Sequence, residues 1–270
     1  MELDLKSLKT FLLDGDGVLY EENRPFPGIN RFFDFLEHRG FRWALLTNNS
    51  TQSVNAFRER LARFNVKATN DQIFTSSSVL GAMLAERFGP GAPVYVIGEH
   101  GLKQTLRDSG LTVYQDNDVP GQVAAVAAAI DRQLTYQKLQ IATRLIRAGA
   151  AFVTTNTDRT LPTPEGHIPG SGAVVASLIA STDVTPIVMG KPEPTMYEVA
   201  LKQMGADPNT TVAIGDRLET DILGGIRAGI KTIFVLSGAG TQGELQSADY
   251  APDLVIKDIA TLTDELEKAW

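Results

Sequence analysis

The strongest constraint on this chain is a set of short apolar runs, each ending in residues able to do chemistry. Phe11-Leu12-Leu13 runs into Asp14-Gly15-Asp16-Gly17, and Trp43-Ala44-Leu45-Leu46 into Thr47-Asn48-Asn49-Ser50. Ile187-Val188-Met189 leads to Gly190-Lys191-Pro192, and Thr211-Val212-Ala213-Ile214 leads to Gly215-Asp216, with Asp221 shortly after. Apolar runs without polar alternation suit strands covered on both faces, the environment of a parallel sheet. Four of them, each with polar residues at its carboxyl end, predict a parallel sheet whose strand ends converge on one crevice, the usual ligand position in open α/β folds.

Around these runs the pattern alternates between strand and helix. A flap is expected over 18–26, and helices over 28–39 and 51–64, the latter with Val54, Phe57, Leu61 and Phe64 on one face. Toward the carboxyl end a helix over 194–204 stops at Gly205, a strand covers 232–236, and a last helix aligns Ile259, Leu262 and Leu266. Between the second and third motifs the segment has its own alternation. Strands are expected over 94–97, 123–130 and 152–154, and helices over 99–109, 136–148 and 173–180. That segment is long enough to be a second α/β domain inserted in the first, giving a core over 1–80 and 184–270 and an insertion over 81–183.

Composition narrows the function classes. A net charge of −7 disfavours nucleic acid as a partner, which normally calls for a basic face. The chain has no cysteine, so a disulfide framework and a thiolate metal site are both excluded. Met1-Glu2-Leu3-Asp4-Leu5-Lys6 lacks a basic-then-apolar signal pattern, and no apolar stretch reaches membrane-spanning length. A cytoplasmic protein with neither membrane nor nucleic-acid partners is the expectation.

The ordered set of an aspartate pair, a threonine, a lysine and a terminal Gly-Asp-x4-Asp resembles the four motifs of the haloacid dehalogenase (HAD) superfamily. Asn48-Asn49-Ser50 after the threonine, Thr154-Thr155-Asn156-Thr157-Asp158 in mid-chain and Gly215-Asp216-Arg217-Leu218-Glu219-Thr220-Asp221 look like its NagD-like and 4-nitrophenyl phosphatase-like branch. The resemblance spans nearly the whole chain. It implies an α/β fold with a Rossmann-like parallel-sheet core and an inserted α/β cap, and an Mg2+-dependent phosphatase acting on a small phosphorylated metabolite. Caps in this branch can carry dimer contacts, so a homodimer is among the expected assemblies.

The chemistry supports that reading. A carboxylate attacking a phosphate dianion at about 4 Å, with an effective dielectric near 20, meets a repulsion of roughly 8 kcal/mol. Nearby cations are therefore required: Lys191 supplies one charge, and a hard divalent ion held by carboxylates supplies two more. Asp14 is read as the nucleophile, forming an aspartyl-phosphate, and Asp16 as the general acid and base. By resemblance the metal is held by Asp14, the backbone carbonyl of Asp16 and Asp216, with Asp221 one layer outside the direct ligands. Thr47 and the Asn48 backbone N–H are expected on the phosphate oxygens, with Lys191 bridging phosphate and Asp14. In the cap, Asn156 and Asp158 are expected to face the substrate and set specificity.

Each motif alone has a plainer reading: a turn for Asp14 to Gly17, a helix cap for the Thr47 stretch, a surface lysine, helix-start acids. An EF-hand is excluded because Val18 and Leu19 stand where a ligand and a glycine belong. Two positions depart from the family pattern. Gly15 replaces the bulky apolar residue usual between the aspartates, and Gln52 stands where many relatives carry a basic residue. His38, His100 and His167 are assigned structural or surface places, with His167, in the cap loop, the one to test for a substrate contact. Two rivals remain open: a non-catalytic phosphometabolite-binding regulator on the same fold, and an NAD-type oxidoreductase suggested by Gly170-Ser171-Gly172, which lacks the third glycine.

Overall fold

The computed structural model describes residues 3–163 and 166–270. From the amino end the elements are β1 (Thr10–Leu13), a hairpin of β2 (Tyr20–Glu21) and β3 (Arg24–Pro25), α1 (Ile29–Arg39), β4 (Arg42–Thr47), α2 (Val54–Arg63) and β5 (Ile73–Thr75). There follow α3 (Ser76–Phe88), β6 (Pro93–Ile97), α4 (His100–Asp108), β7 (Thr112–Gln115), β8 (Ala125–Ala128), α5 (Tyr136–Arg147), β9 (Ala151–Thr154), β10 (Thr160–Thr163), β11 (Gly166–Pro169), α6 (Ser171–Thr182) and β12 (Ile187–Val188). The chain closes with α7 (Thr195–Met204), β13 (Thr211–Gly215), a π-turn (Leu218–Ile222), α8 (Leu223–Arg227), β14 (Lys231–Val235), α9 (Gln242–Ser247), β15 (Leu254–Ile256) and α10 (Ile259–Ala269). Two compact units result: Met1–Thr47, Asn55–Phe74 and Lys191–Trp270 form one, and Asn48–Val54 with Thr75–Gly190 the other.

The first unit is built on a six-stranded sheet ordered β15-β14-β13-β1-β4-β5. β1, β4 and β13 hold almost wholly buried apolar residues, as central parallel strands require. Leu13 is in register with Leu45 on one side and with Ile214 on the other. The chain works outward from β1 through β4 to β5, then later from β13 through β14 to β15. The direction therefore reverses between β1 and β13, and the ends of these strands flank the switch point where ligands bind in such sheets.

Helix α1 buries Ile29, Phe32, Phe33, Phe35 and Leu36 and ends at Gly40, whose left-handed backbone (φ 66°) lets its N–H reach Leu36 O. It packs beside α10, which buries Ile259, Leu262 and Leu266.

The second unit has a five-stranded parallel sheet ordered β12-β9-β8-β6-β7. Its core joins Tyr95, Val126 and Phe152 from strands to Ile141 and Leu145 of α5 and Val174 and Leu178 of α6. An antiparallel hairpin, β10 with β11, stands apart from that sheet.

Three sequence expectations are corrected. The run 187–189 does not join the sheet of the other three motif runs: Ile187 and Val188 pair with Val153 and Thr154 in the second unit. Pro186 precedes this run and Ile187 is 44% exposed, the marks of a short edge strand rather than a central one. Helix α2 begins at Val54 instead of 51, because Asn49 Oδ1 accepts from Thr51 N (3.0 Å) and Thr51 Oγ1 (2.7 Å) and folds that stretch into a turn. The strand expected over 123–130 contracts to Ala125–Ala128.

Asp258 caps α10, accepting from Thr261 N at 2.8 Å and Thr261 Oγ1 at 2.7 Å. Partial burial alone would raise its pKa, but these donors hold it below the usual carboxylate range. A depressed folded-state pKa stabilises the fold above the unfolded value, and that contribution fades as pH falls through the folded value. Asp258→Ala is therefore expected to destabilise by about 1 kcal/mol at neutral pH. In urea unfolding, the gap to the parent protein should narrow as the medium is acidified below about pH 4.

Candidate active site

Asp14 follows β1 directly, and its N–H donates to Ile214 O (2.9 Å), which pins it to the end of β13. Lys191 reaches it from the chain that returns after the second unit. Its Nζ donates to Asp14 Oδ1 (2.6 Å), Asp221 Oδ1 (2.5 Å) and Leu46 O (3.0 Å). Those bonds match the three donors of an ammonium. The side chain is only 3% exposed; burial would lower its pKa, but the Asp14 and Asp221 carboxylates outweigh it and keep the lysine charged well above its usual range.

Asp221 sits on the π-turn with both oxygens engaged, since Oδ2 accepts from Arg217 N (3.2 Å) and Thr220 Oγ1 (3.4 Å). Tyr197 of α7 donates to its carbonyl at 3.0 Å, which anchors the turn.

Asp216, just past β13, is different. Its Oδ2 accepts from Ala239 N (2.7 Å), while its buried Oδ1 has no hydrogen-bond partner among the described residues. Backbone crowds the other side of this carboxylate. A Cβ at Gly17, whose φ is +84°, or at Gly238 would overlap Asp216 Oδ2. Burial, reinforced by the Asp221 charge, pushes the Asp216 pKa up to about 6. Asp14 is raised well above its usual value, first by burial and then by Asp221 and Asp216, with Lys191 opposing.

Oxygens of Asp14, Asp216 and Asp221 all lie within 4.8 Å of one another. Among the described residues, these three carboxylates face the Lys191 ammonium, and one of their oxygens is both buried and without a partner. Such hard oxygen donors with surplus negative charge fit a divalent cation; both Asp221 oxygens already accept hydrogen bonds, whereas Asp216 Oδ1 accepts none among the described residues.

Asp16 is held by the flap. Gly15 O accepts from Leu19 N (2.9 Å) and Tyr20 N (3.2 Å), and Gly17 N donates to Tyr20 O (2.9 Å). Burial raises the Asp16 pKa, with Arg60 and Arg217 as the main opposing charges. Thr47 is buried as the last residue of β4, two places past the partner of Leu13.

In the second unit, Asn48 O accepts from Asn156 Nδ2 (2.9 Å) and Ser76 Oγ (3.0 Å). Asn156 Oδ1 in turn accepts from Asp158 N (3.1 Å). Asn156 thus fixes the Asn48 carbonyl, a role the sequence did not suggest. His167 is exposed on β11 opposite Pro162, His38 Nδ1 lies 2.6 Å from Asp34 O, and His100 is an exposed residue opening α4. Gly170-Ser171-Gly172 follows the antiparallel hairpin, and Ser171 Oγ accepts from Ile130 N (3.0 Å), so this is no dinucleotide turn.

The loop 237–240 escaped sequence reasoning. Ser237 Oγ donates to Gly17 O (2.7 Å) while Ala239 holds Asp216. Its signal was present all the same: Gly238-Ala239-Gly240 follows the apolar run of β14, just as the other motifs follow theirs.

Residues 11–112 match the family model of haloacid dehalogenase-like hydrolases, and residues 188–262 match the HAD-hydrolase-like model. An acid sugar phosphatase of Staphylococcus epidermidis is 35% identical over 264 residues, covering 98% of this chain and 100% of the relative. The 4-nitrophenylphosphatase of Thermotoga maritima superposes with a TM-score of 0.90 at 30% identity, over 97% of this chain and 99% of that one. NagD of E. coli K-12 does so with a TM-score of 0.84 at 30% identity, over 94% and 97%. With its motifs, fold and relatives in agreement over nearly its full length, the chain belongs to the haloacid dehalogenase-like hydrolases, among their phosphatases.

Proposed function

We propose that the chain hydrolyses small phosphomonoesters, of the sugar phosphate or 4-nitrophenyl phosphate type, through an aspartyl-phosphate on Asp14, with Mg2+ as cofactor. The observation that carries this is the Lys191 ammonium bonded to both Asp14 and Asp221, beside a buried Asp216 oxygen with no hydrogen-bond partner among the described residues. A binding protein has no use for so costly a cluster of buried carboxylates, whereas a phosphoryl-transfer site does.

In the first displacement Asp14 attacks phosphorus and the ester oxygen leaves, taking the proton of Asp16. The elevated Asp16 pKa favours keeping that proton for the leaving group. Asp16, now a carboxylate, takes a proton from the water that cleaves the aspartyl-phosphate, which releases phosphate and restores Asp14. Lys191 and the donors of Thr47 and the Asn48 N–H stabilise the spread charge of the transferring group. Asp14, Asp216 and the Asp16 carbonyl would hold the divalent ion, which adds positive charge against the phosphate and lowers the proton affinity of Asp14. The first unit does this chemistry, and the second, through Asn156 and Asp158, selects the substrate.

Asp14→Asn should abolish phosphate release while leaving the thermal unfolding midpoint near that of the parent, since the amide is nearly isosteric but a poor nucleophile. Turnover near the parent rate would remove the covalent mechanism.

Activity should vanish in EDTA and return with Mg2+, whereas Ca2+, which prefers more ligands and looser geometry, should substitute poorly. Because the Asp216 pKa stands near about 6, protons should compete with the ion in acid. The Mg2+ concentration for half-maximal rate is expected to rise as pH falls below that value, and full activity in chelator would contradict the proposed site.

Asp158→Ala should change relative kcat/KM among natural phosphomonoesters by about 5- to 150-fold, and 4-nitrophenyl phosphate hydrolysis far less, whereas Asn156→Ala, which also frees the Asn48 carbonyl, should in addition lower the rate on every substrate. Equal losses on every substrate for Asp158→Ala would assign that residue to structural support rather than to specificity.

A further inference from the structure

Gly15 raises a question that the mechanism does not answer. Its backbone is not in the left-handed region, so conformation alone does not demand glycine; space does. A Cβ there would overlap the Tyr20 hydroxyl and stand 2.8 Å from Tyr20 Cζ and 3.2 Å from Leu45 Cδ1. The side-chain slot of position 15 is thus filled from five residues along the chain by a wholly buried tyrosine.

That ring is clamped. The Arg60 guanidinium lies 5.2 Å from its centroid and the Phe64 ring 5.7 Å away. Its backbone bonds to Gly15 and Gly17, and Asp16 bridges to it. The Tyr20 hydroxyl thus lies in the space that a side chain at position 15 would need, with the Arg60 guanidinium as its charged neighbour.

We infer that Tyr20 is a positioning residue for the nucleophile loop: its ring and hydroxyl take the place of the side chain missing at position 15 and so fix the backbone that aims Asp14 and Asp16. The inference rests on the phosphatase reading above.

A double-mutant cycle tests this, with Gly15→Ala, Tyr20→Phe and the pair together, read as kcat and KM for 4-nitrophenyl phosphate and as unfolding midpoint. Gly15→Ala should lower kcat by about 100-fold with KM within about threefold, because displaced reacting groups lose rate rather than binding. Tyr20→Phe alone keeps the ring and should lose no more than about threefold. In the pair the overlap with the hydroxyl is gone, and only the 2.8 Å approach to the ring carbon remains to be relieved by a small shift, so kcat should recover in part, at least about tenfold over Gly15→Ala. Tyr20→Leu, which empties the slot without crowding it, should lower kcat at least about tenfold while the protein stays folded.

A Gly15→Ala protein with parent kcat, a pair no better than Gly15→Ala, or a Tyr20→Leu enzyme of parent kcat would each overturn the inference. A parent protein without phosphatase activity would instead remove the proposed function and the positioning role with it. The steric exchange would then still show as recovery of the unfolding midpoint in the pair, so the two failures are distinguishable.

Discussion

The site depends on one buried ammonium. Three carboxylates have oxygens within 4.8 Å of one another, and mutual repulsion and lost hydration both oppose their ionisation. Lys191 Nζ settles part of that conflict by bonding to Asp14 and Asp221 together. Removing it would strand two buried charges, which typically costs about 3–5 kcal/mol. The lysine also sorts the carboxylates into roles. Asp221 has both oxygens satisfied and serves to hold Lys191. Among the described residues Asp216 keeps one oxygen buried and unpartnered, and the Asp14 carboxylate bonds to the lysine through Oδ1.

The sheet makes this arrangement reproducible. β1, β13 and β4 are adjacent and in fixed register, so Asp14, Asp216 and Thr47 emerge along one edge at the reversal point of the strand order. Loops then press in at distances only glycine permits, Gly17 and Gly238 at the Asp216 carboxylate and Gly15 at the Tyr20 ring. The resulting rigidity suits a reaction that relies on fixed charges and donors more than on covalent chemistry by the protein.

Much of this was legible because the rule behind it is local: an apolar run long enough to cross a sheet, followed at once by a chemical group. Asp14, Thr47 and Asp216 obey it. Lys191 was found by the same rule although its run, Ile187 to Met189, pairs with β9 in the other sheet. Pairing partners are long-range facts that a run of three residues does not encode. The edge strand β7 and the hairpin strand β11 were missed because they are short and poorly buried, leaving little apolar pattern to read. Asn156 stood out as a motif residue, but its bond to the Asn48 carbonyl joins residues 108 positions apart. The filling of the Gly15 slot by Tyr20 is a matter of volume, to which residue type alone gives no guide.

The most direct test of the central claim is to identify the phosphorylated residue. Enzyme mixed with excess phosphomonoester, quenched in acid within the first turnovers and digested, should yield one peptide carrying an acyl-phosphate, and fragmentation should place it on Asp14. A phosphoryl group on any other side chain, or burst-phase turnover with no modified peptide at all, would contradict the account.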